Sequence, residues 1–381
     1  MVAACPFPYP RGTPIRIYGM ASELGRSGHE VHVVTYHLGK RDISGPFQIH
    51  RIPRVPTYRK LTPGPSLQKL LLVDALLVAR LSRLLRRHDF DVIHAHHYEG
   101  LAAALLAAKN GYPPVVFDSH TLLESELPDY GRWLPAGGKK RLGRLIDARL
   151  PRRASAVIAV SEEIRDRLVN DHGCAPEKVV VVRSGVELGQ FAFADDARHG
   201  RRHDSSTVLY TGNLARYQGI GLLLRALKSL LDRGRDVRLL IVSNSSLAPY
   251  DRLIDQLGVR AAVETVPSDF KSDVELMARA DVAANPRPDS PGLPQKLLNY
   301  MAAGLPIVSA AGCAELISNG ANALVVNSDD AHAFADALDR VLGDADLARS
   351  LGDAARETAR KELSWSRTAE AALSVYERVL G

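Results

Sequence analysis

The chain has 381 residues, of which 46% are hydrophobic, 24% charged and 6% aromatic, with 49 Lys plus Arg against 43 Asp plus Glu and a net charge of +6. That length points to two domains, and the composition excludes a disordered tail protein and a collagen-like repeat. The charge is uneven, +10 over residues 1–186 and −4 over 187–381, which bears on an anionic partner rather than on the fold.

Short apolar runs alternate with amphipathic stretches, the pattern of βαβ units and parallel sheets. In the first half, 1–5, 31–35, 92–95, 115–118, 157–160 and 179–182 read as strands. Ile17, Met20 and Leu24 mark one helical face ended by Gly28, and 101–108 and 162–169 read as further helices. Residues 187–206 are polar, with Asp195, Asp196, Arg198, Arg201, Arg202 and Asp204 close together, and read as a linker. The alternation then restarts, with strands at 208–211, 237–242, 263–266, 282–284, 307–310 and 323–326 and a helical stretch over 331–380. The expected organisation is α/β throughout. A Rossmann-like domain spans 1–186, a second spans 187–365, and a helix at 366–381 packs back on the first. In open α/β sheets ligands sit beyond the carboxyl ends of the strands.

Cys5, Cys174 and Cys313 are far apart and odd in number, with no metal-ligand spacing, so a disulfide framework and a structural zinc motif are not indicated. A reducing cytoplasm is the expected compartment. MVAACPFPYPRG lacks the basic and apolar regions of a signal peptide. The most apolar stretch, 70–79, is short and interrupted by Asp74, so it does not span a bilayer.

Three loops can hold an anion. In the first, Gly12 admits close backbone approach, Thr13 suits an N-cap and Pro14 the first helical position, a pattern that a plain capped turn also shows. The second, TGNLARYQGIG (211–221), has Gly212, Gly219 and Gly221 for tight turns and Arg216 as a cation, but is neither GxGxxG nor a Walker A loop. The third, PDSPGLPQKLLNYMAAGLP (288–306), reads as a loop and a helix over 294–303 stopped by Gly304. Lys296 lies in its first turn, where a cation opposes the helix dipole unless an anion is bound there; Asn299 follows at i+3. The alternative is a solvated lysine.

His120, in DSHTLLESELP, follows a buried strand and is either a ligand group or a structural hydrogen-bonder. His94, His96 and His97 lie at another strand end. Alternation sends His94 and His96 to one face and His97 to the other, which argues against a three-histidine metal site. Asp89-Phe90-Asp91 and Asp344-Ala345-Asp346 match a DxD string only weakly.

Taken together, SGHEVHVVT, DVIHAHHYEG, FDSH, AVSEEIRDRL, VVRSGVE, LYTGNLARYQGI and GLPQKLLNYMAAGLPIV resemble the glycosyltransferases of family 4 over essentially the whole chain. The resemblance implies the GT-B fold, two Rossmann-like doubly wound domains facing across a cleft, and sugar transfer from a nucleotide diphosphate sugar to an acceptor hydroxyl with retention. It implies a hexosyltransferase-type enzyme with no cofactor and no metal. It places Gly12 and Thr13 on the loop near the donor diphosphate, and His120 beside the transferred sugar as the candidate catalytic residue. It assigns Gly292, Leu293, Pro294 and Lys296 to the diphosphate cradle, with Asn213, Arg216, Gln218, Gly219 and Asn299 as further donor contacts. His97, Tyr98 and Glu124 stand as candidate acceptor contacts, and the stretch around 266–270 as the base-contact loop.

Three departures stand out. The family's two glutamates eight apart correspond to Pro291 and Asn299, and its Arg and Lys five apart to Asn213 and Gln218. The family's first strand also begins several residues earlier, so this strand is short or the true start lies upstream of Met1. Alternatives to transfer are a nucleotide-sugar epimerase or hydrolase, or a silent nucleotide-sugar binding protein.

The basic half is the expected acceptor half. Residues 130–153 carry Arg132, Lys139, Lys140, Arg141, Arg144, Arg149, Arg152 and Arg153 against Asp147 alone, and 70–87 combines leucines with Arg80, Arg83, Arg86 and Arg87. Such stretches suit an anionic membrane surface at its inner face, and a saccharide, lipid-linked or other hydroxyl acceptor, as well as plain solvated helix faces. Aromatic stacking residues are not interleaved with them, so no nucleic acid partner is expected.

Overall fold

Apolar runs rich in valine and isoleucine build two sheets, each with every pairing parallel. The computed structural model describes residues 1–9, 12–61, 64, 66–108, 112–130, 134–191, 205–269, 272–287, 294–311, 315–327 and 329–381. The chain divides into two units, Met1–Gly185 with Trp365–Gly381, and Val186–Ser364.

The first unit carries β1 (Val2–Ala3), β2 (His32–Thr35), β3 (Gln48–Arg51), β4 (Ile93–His96), β5 (Val115–Ser119), β6 (Ala156–Ala159) and β7 (Val179–Val181). Their order is β3-β2-β1-β4-β5-β6-β7. Its helices are α1 (Gly12–Arg26), α2 (Asp74–Leu85), α3 (His97–Ala107), α4 (Leu123–Glu126), α5 (Ala136–Arg149) and α6 (Glu162–Asp166). β3 escapes a hydropathy reading because Gln-Ile-His-Arg on a sheet edge buries little. β1 is two residues long rather than the five expected. The polar first turn of α3, His-Tyr-Glu-Gly, hides a helix start four residues ahead of the apolar pattern.

Successive strand residues serve opposite cores. Val34, Phe117 and Val157 face one with Leu77 and Leu101, while Val33, Val116 and Ile158 face the other with Ile17 and Met20. Helices on both faces require such doubly apolar strands.

The second unit carries β8 (Ser206–Thr211), β9 (Val237–Val242), β10 (Val263–Val266), β11 (Val282–Asn285), β12 (Ile307–Ala310) and β13 (Leu324–Val326), ordered β10-β9-β8-β11-β12-β13. Around them lie α7 (Ile220–Asp232), α8 (Asp251–Leu257), α9 (Ser272–Ala278), α10 (Gln295–Ala302), α11 (Ala331–Gly343) and α12 (Ala345–Glu362). Again the inner strands are apolar on both faces, with Leu209 and Ile307 on one core and Tyr210 and Val308 on the other.

The last helix, α13 (Trp365–Leu380), belongs to the first unit and packs on α1. A Cβ at Gly19 would lie 2.2 Å from the Trp365 indole, so only glycine lets the two helices approach this closely. Among the described residues, no helix is long and apolar enough to cross a membrane.

Candidate functional site

Each sheet reverses its strand order at its own first strand, between β1 and β4 and between β8 and β11. Loops leaving the carboxyl ends of such strands form the ligand-binding edge of open α/β sheets.

In the first unit that edge gathers a buried polar group around Asp118. Asp118 Oδ2 accepts from Arg16 Nε at 2.9 Å and from His94 Nε2 at 3.2 Å. Arg16 also donates to Ser184 Oγ at 3.1 Å and to the Val182 carbonyl at 2.9 Å. Burial pushes the Asp118 carboxyl up, but Arg16 and the surrounding histidines overcome it and hold it well below the usual carboxylate range. The ionised carboxylate takes the Nε2–H of His94, leaving His94 Nδ1 to accept from the Tyr376 hydroxyl of α13 at 2.5 Å.

The rings of His94 and His96 stack with centroids 4.4 Å apart, and His96 Nδ1 lies 3.2 Å from His120 Nε2. The Thr13 hydroxyl reaches His97 Nε2 at 2.7 Å and His120 Nδ1 at 3.3 Å. Burial lowers the pKa of His94, and those of His96 and His120 well below the ordinary histidine value, so these rings are neutral at pH 7. His120 is the more accessible, with a side chain 10% exposed.

His97 corrects the alternation argument. Its φ of 62° breaks the strand and starts α3, turning the ring to within 4.7 Å of His120 instead of to the opposite face. Strain of this kind, about 1–3 kcal/mol, persists where the surroundings impose it. Thr13 is likewise spent on the two histidines inside the first turn of α1, which begins at Gly12, rather than on a cap. Tyr98 and Glu124 stand apart from this group. Tyr98 is a core residue 5% exposed with its ring edge-on to Phe117, and the Glu124 carboxylate turns to Arg167 and His172. His94, His96 and Asp118 bring ligand atoms close enough for an ion, but the Arg16 guanidinium already holds Asp118 Oδ2, so this group does not fit a metal.

In the second unit the corresponding edge is built on Lys296. Gly292 and Leu293, with Pro291, lie outside the described residues, as do Cys313, Arg132, Phe270 and most of the expected linker. Pro294 caps α10 in extended conformation, and Lys296 occupies its first turn, 8% exposed. Its ammonium sits 4.2 Å from the centroid of the Tyr210 ring and donates to Gln218 Oε1 at 2.6 Å. The Tyr210 hydroxyl donates to the Asn213 carbonyl at 2.6 Å, with Gln218 Oε1 at 3.3 Å. Asn213 Oδ1 accepts from the Ala215 N–H at 3.1 Å, shaping the loop.

The positions that depart from the family pattern thus have defined tasks. A cation at 218 would stand against Lys296, whereas the neutral Gln218 amide orients one ammonium. Gly219 opens α7 with φ 75°, and a Cβ there would meet the Pro286 carbonyl at 2.0 Å. Arg216 is exposed, and Asn299 is half-buried one turn beyond Lys296. Arg16, Tyr376 and Tyr210 were not legible as site residues. His94 and Tyr376 are 282 positions apart, and no local pattern links them.

Two parallel, doubly wound α/β units in one chain, each with ligand-binding loops at its switch point, are the GT-B architecture. The Glycosyltransferase Family 4 model matches residues 10–190, and the Glycosyl transferases group 1 model matches 205–344. The chain belongs to glycosyltransferase family 4 and is a glycosyltransferase. It is 29% identical to the D-inositol 3-phosphate glycosyltransferase of Corynebacterium aurimucosum over 76% of this chain and 72% of that one. It is 27% identical to the MMP alpha-(1->4)-mannosyltransferase of Mycolicibacterium hassiacum over 97% and 95%. Its fold is similar to that of sucrose-phosphate synthase from Thermosynechococcus elongatus, with TM-score 0.81, 20% identity and coverage of 99% and 96%. The Anabaena protein HepE in complex with UDP-glucose aligns with TM-score 0.73 and 17% identity over 99% and 98%.

Proposed function

We propose that this enzyme transfers a hexosyl group from a nucleoside diphosphate sugar to an acceptor hydroxyl with retention, using a lysine rather than a divalent ion at the diphosphate. The observation that carries this reading is Lys296, a nearly buried ammonium held on the Tyr210 face by Gln218 in the first turn of α10. A fixed cation at the start of a helix stabilises the charge that develops on a leaving diphosphate. HepE, similar in fold, is described in complex with UDP-glucose, which supports a donor of this class.

His120 is the residue assigned to the transfer step. Neutral, with Thr13 and His96 at 3.3 and 3.2 Å from its two nitrogens, it can exchange one of these long contacts for a sugar hydroxyl without carrying charge itself. An anionic hydroxyl acceptor suits the basic first unit, and a relative is named D-inositol 3-phosphate glycosyltransferase. The same unit offers a surface for anionic lipid. α5 exposes Leu142 and Leu145 among Lys140, Arg141 and Arg144, and Leu67 and Leu71 ahead of α2 are 77% and 75% exposed. Lys139 is not part of that surface, since it is buried and donates to the Tyr130 carbonyl at 3.2 Å.

Calorimetry of Lys296→Ala with UDP and with GDP, each with and without Mg²⁺, tests the donor assignment. Wild-type affinity in the variant, or binding that appears only with Mg²⁺, overturns it. The anomeric coupling constant of the product, read by NMR, tests retention.

A further inference from the structure

A second buried ionisable group lies in the first unit, outside the histidine group. Glu124 of α4, Asp147 of α5 and His172, just after the π-turn Arg167–Asp171, each bring one ligand atom within 4.8 Å of the others. His172 Nε2 is 3.6 Å from Glu124 Oε2 and 3.9 Å from Asp147 Oδ2. Both distances are too long for hydrogen bonds. Neither ring nitrogen of His172 has a hydrogen-bond partner, although its side chain is 0% exposed. A buried imidazole unpaired at both nitrogens is costly and calls for an explanation.

The three ligand atoms are close enough together to surround one cation. Three atoms so placed reach a shared centre at zinc–nitrogen and zinc–oxygen distances of roughly 2.0–2.2 Å after a small inward rotation. We propose that Glu124 Oε2, Asp147 Oδ2 and His172 Nε2 bind one Zn²⁺ ion as three of its four ligands. The two carboxylates balance the charge of the ion, and the imidazole ligates in its neutral form. An imidazole beside carboxylates selects zinc over magnesium or calcium, which take oxygen ligands.

The carboxylates are already aimed. Asp147 Oδ1 accepts from the Leu123 N–H at 3.0 Å and Asp147 Oδ2 from the Glu124 N–H at 2.8 Å. Arg167 donates to Ser125 Oγ at 3.0 Å, and its other nitrogen stands 3.7 Å from Glu124 Oε2, beyond bonding distance. This differs from Asp118, whose oxygen is taken by a guanidinium at 2.9 Å. Glu124, at 11% exposure, is the ligand nearest solvent. The ion joins α4 to α5 and to the end of the helix after β6. It thereby steadies the segment that begins with His120, four residues before Glu124.

The test uses the full chain, dialysed against chelator and titrated with Zn²⁺, with Co²⁺ as a spectroscopic probe and Mg²⁺ as a control. The expected result is one equivalent of zinc per chain, a raised melting temperature, and visible Co²⁺ bands, with none of these for Mg²⁺. His172→Ala and Glu124→Gln should each weaken zinc binding by at least about tenfold, since even outer-shell changes cost that much, and His172→Ala should abolish the Co²⁺ bands. If His172→Ala fails to fold by circular dichroism, Glu124→Gln decides. Absence of zinc uptake, or equal uptake in the folded variants, overturns the site.

Discussion

Arg16 Nε donates to Asp118 Oδ2 over 2.9 Å, with side chains 1% and 0% exposed. The pair joins α1 to the end of β5 across 102 positions of sequence. Removing one partner strands a buried charge. Asp118→Asn should therefore destabilise the first unit by about 3–5 kcal/mol, read as a lowered urea midpoint. An unchanged midpoint would mean that the pair is solvated.

The same group makes stability depend on pH. The Asp118 carboxyl is held well below its ordinary value, and His94, His96 and His120 are held below theirs. Depressed values of either type contribute stability that is present above the unfolded pKa and lost as pH falls through the folded one. The histidine contribution is full above about pH 6.5 and the Asp118 contribution above about pH 4. The urea midpoint should fall steadily from pH 7 to pH 5, as the unfolded histidines take up protons, and His96→Asn should flatten that slope.

Gln218→Glu tests the second unit without changing shape. A carboxylate against the Lys296 ammonium would neutralise the cation offered to a diphosphate. Calorimetry should show nucleoside diphosphate affinity lowered by about tenfold or more, the worth of one charge-assisted hydrogen bond, with the melting temperature preserved. Affinity equal to wild type would remove Lys296 from the donor site.

Glycine at 219 is demanded twice, by φ and by space. Gly219→Ala should cost about 3 kcal/mol or more, because Cβ would meet the Pro286 carbonyl at 2.0 Å. Gly234→Ala, also at positive φ but with nothing within 4 Å, should cost only about 1 kcal/mol. Equal losses by thermal melting would show that the loop after β11 yields easily.

Leu142→Glu with Leu145→Glu places charge on the exposed face of α5. Co-sedimentation with phosphatidylglycerol vesicles should fall several-fold in the double variant and be weak for neutral vesicles in the wild type. Binding indifferent to lipid charge would leave α5 as an ordinary solvated helix.

Much of the fold was legible because strands buried on both faces read as continuous apolar runs. Val237–Val242 and Ile307–Ala310 have the limits that their valines and isoleucines indicate. β3 was not legible, since Gln-Ile-His-Arg carries no such run. Lys296 and His120 stood out because each follows a strand and a loop of recognisable pattern.

What the sequence by itself determined is the sequence-local part: alternating strands and helices, two units, the charge asymmetry, and the residues at strand ends. Tertiary structure alone decided which of those residues meet. His94 finds Tyr376, Arg16 finds Asp118 and Lys296 finds Gln218, at separations of 282, 102 and 78 positions. Alternation misplaced His97, because a single positive φ, imposed by packing, redirects a side chain that the strand period would send elsewhere. Periodicity is a property of neighbouring residues. Ionisation state and hydrogen-bond partnership depend on burial and distance, which exist only once the sheets have formed.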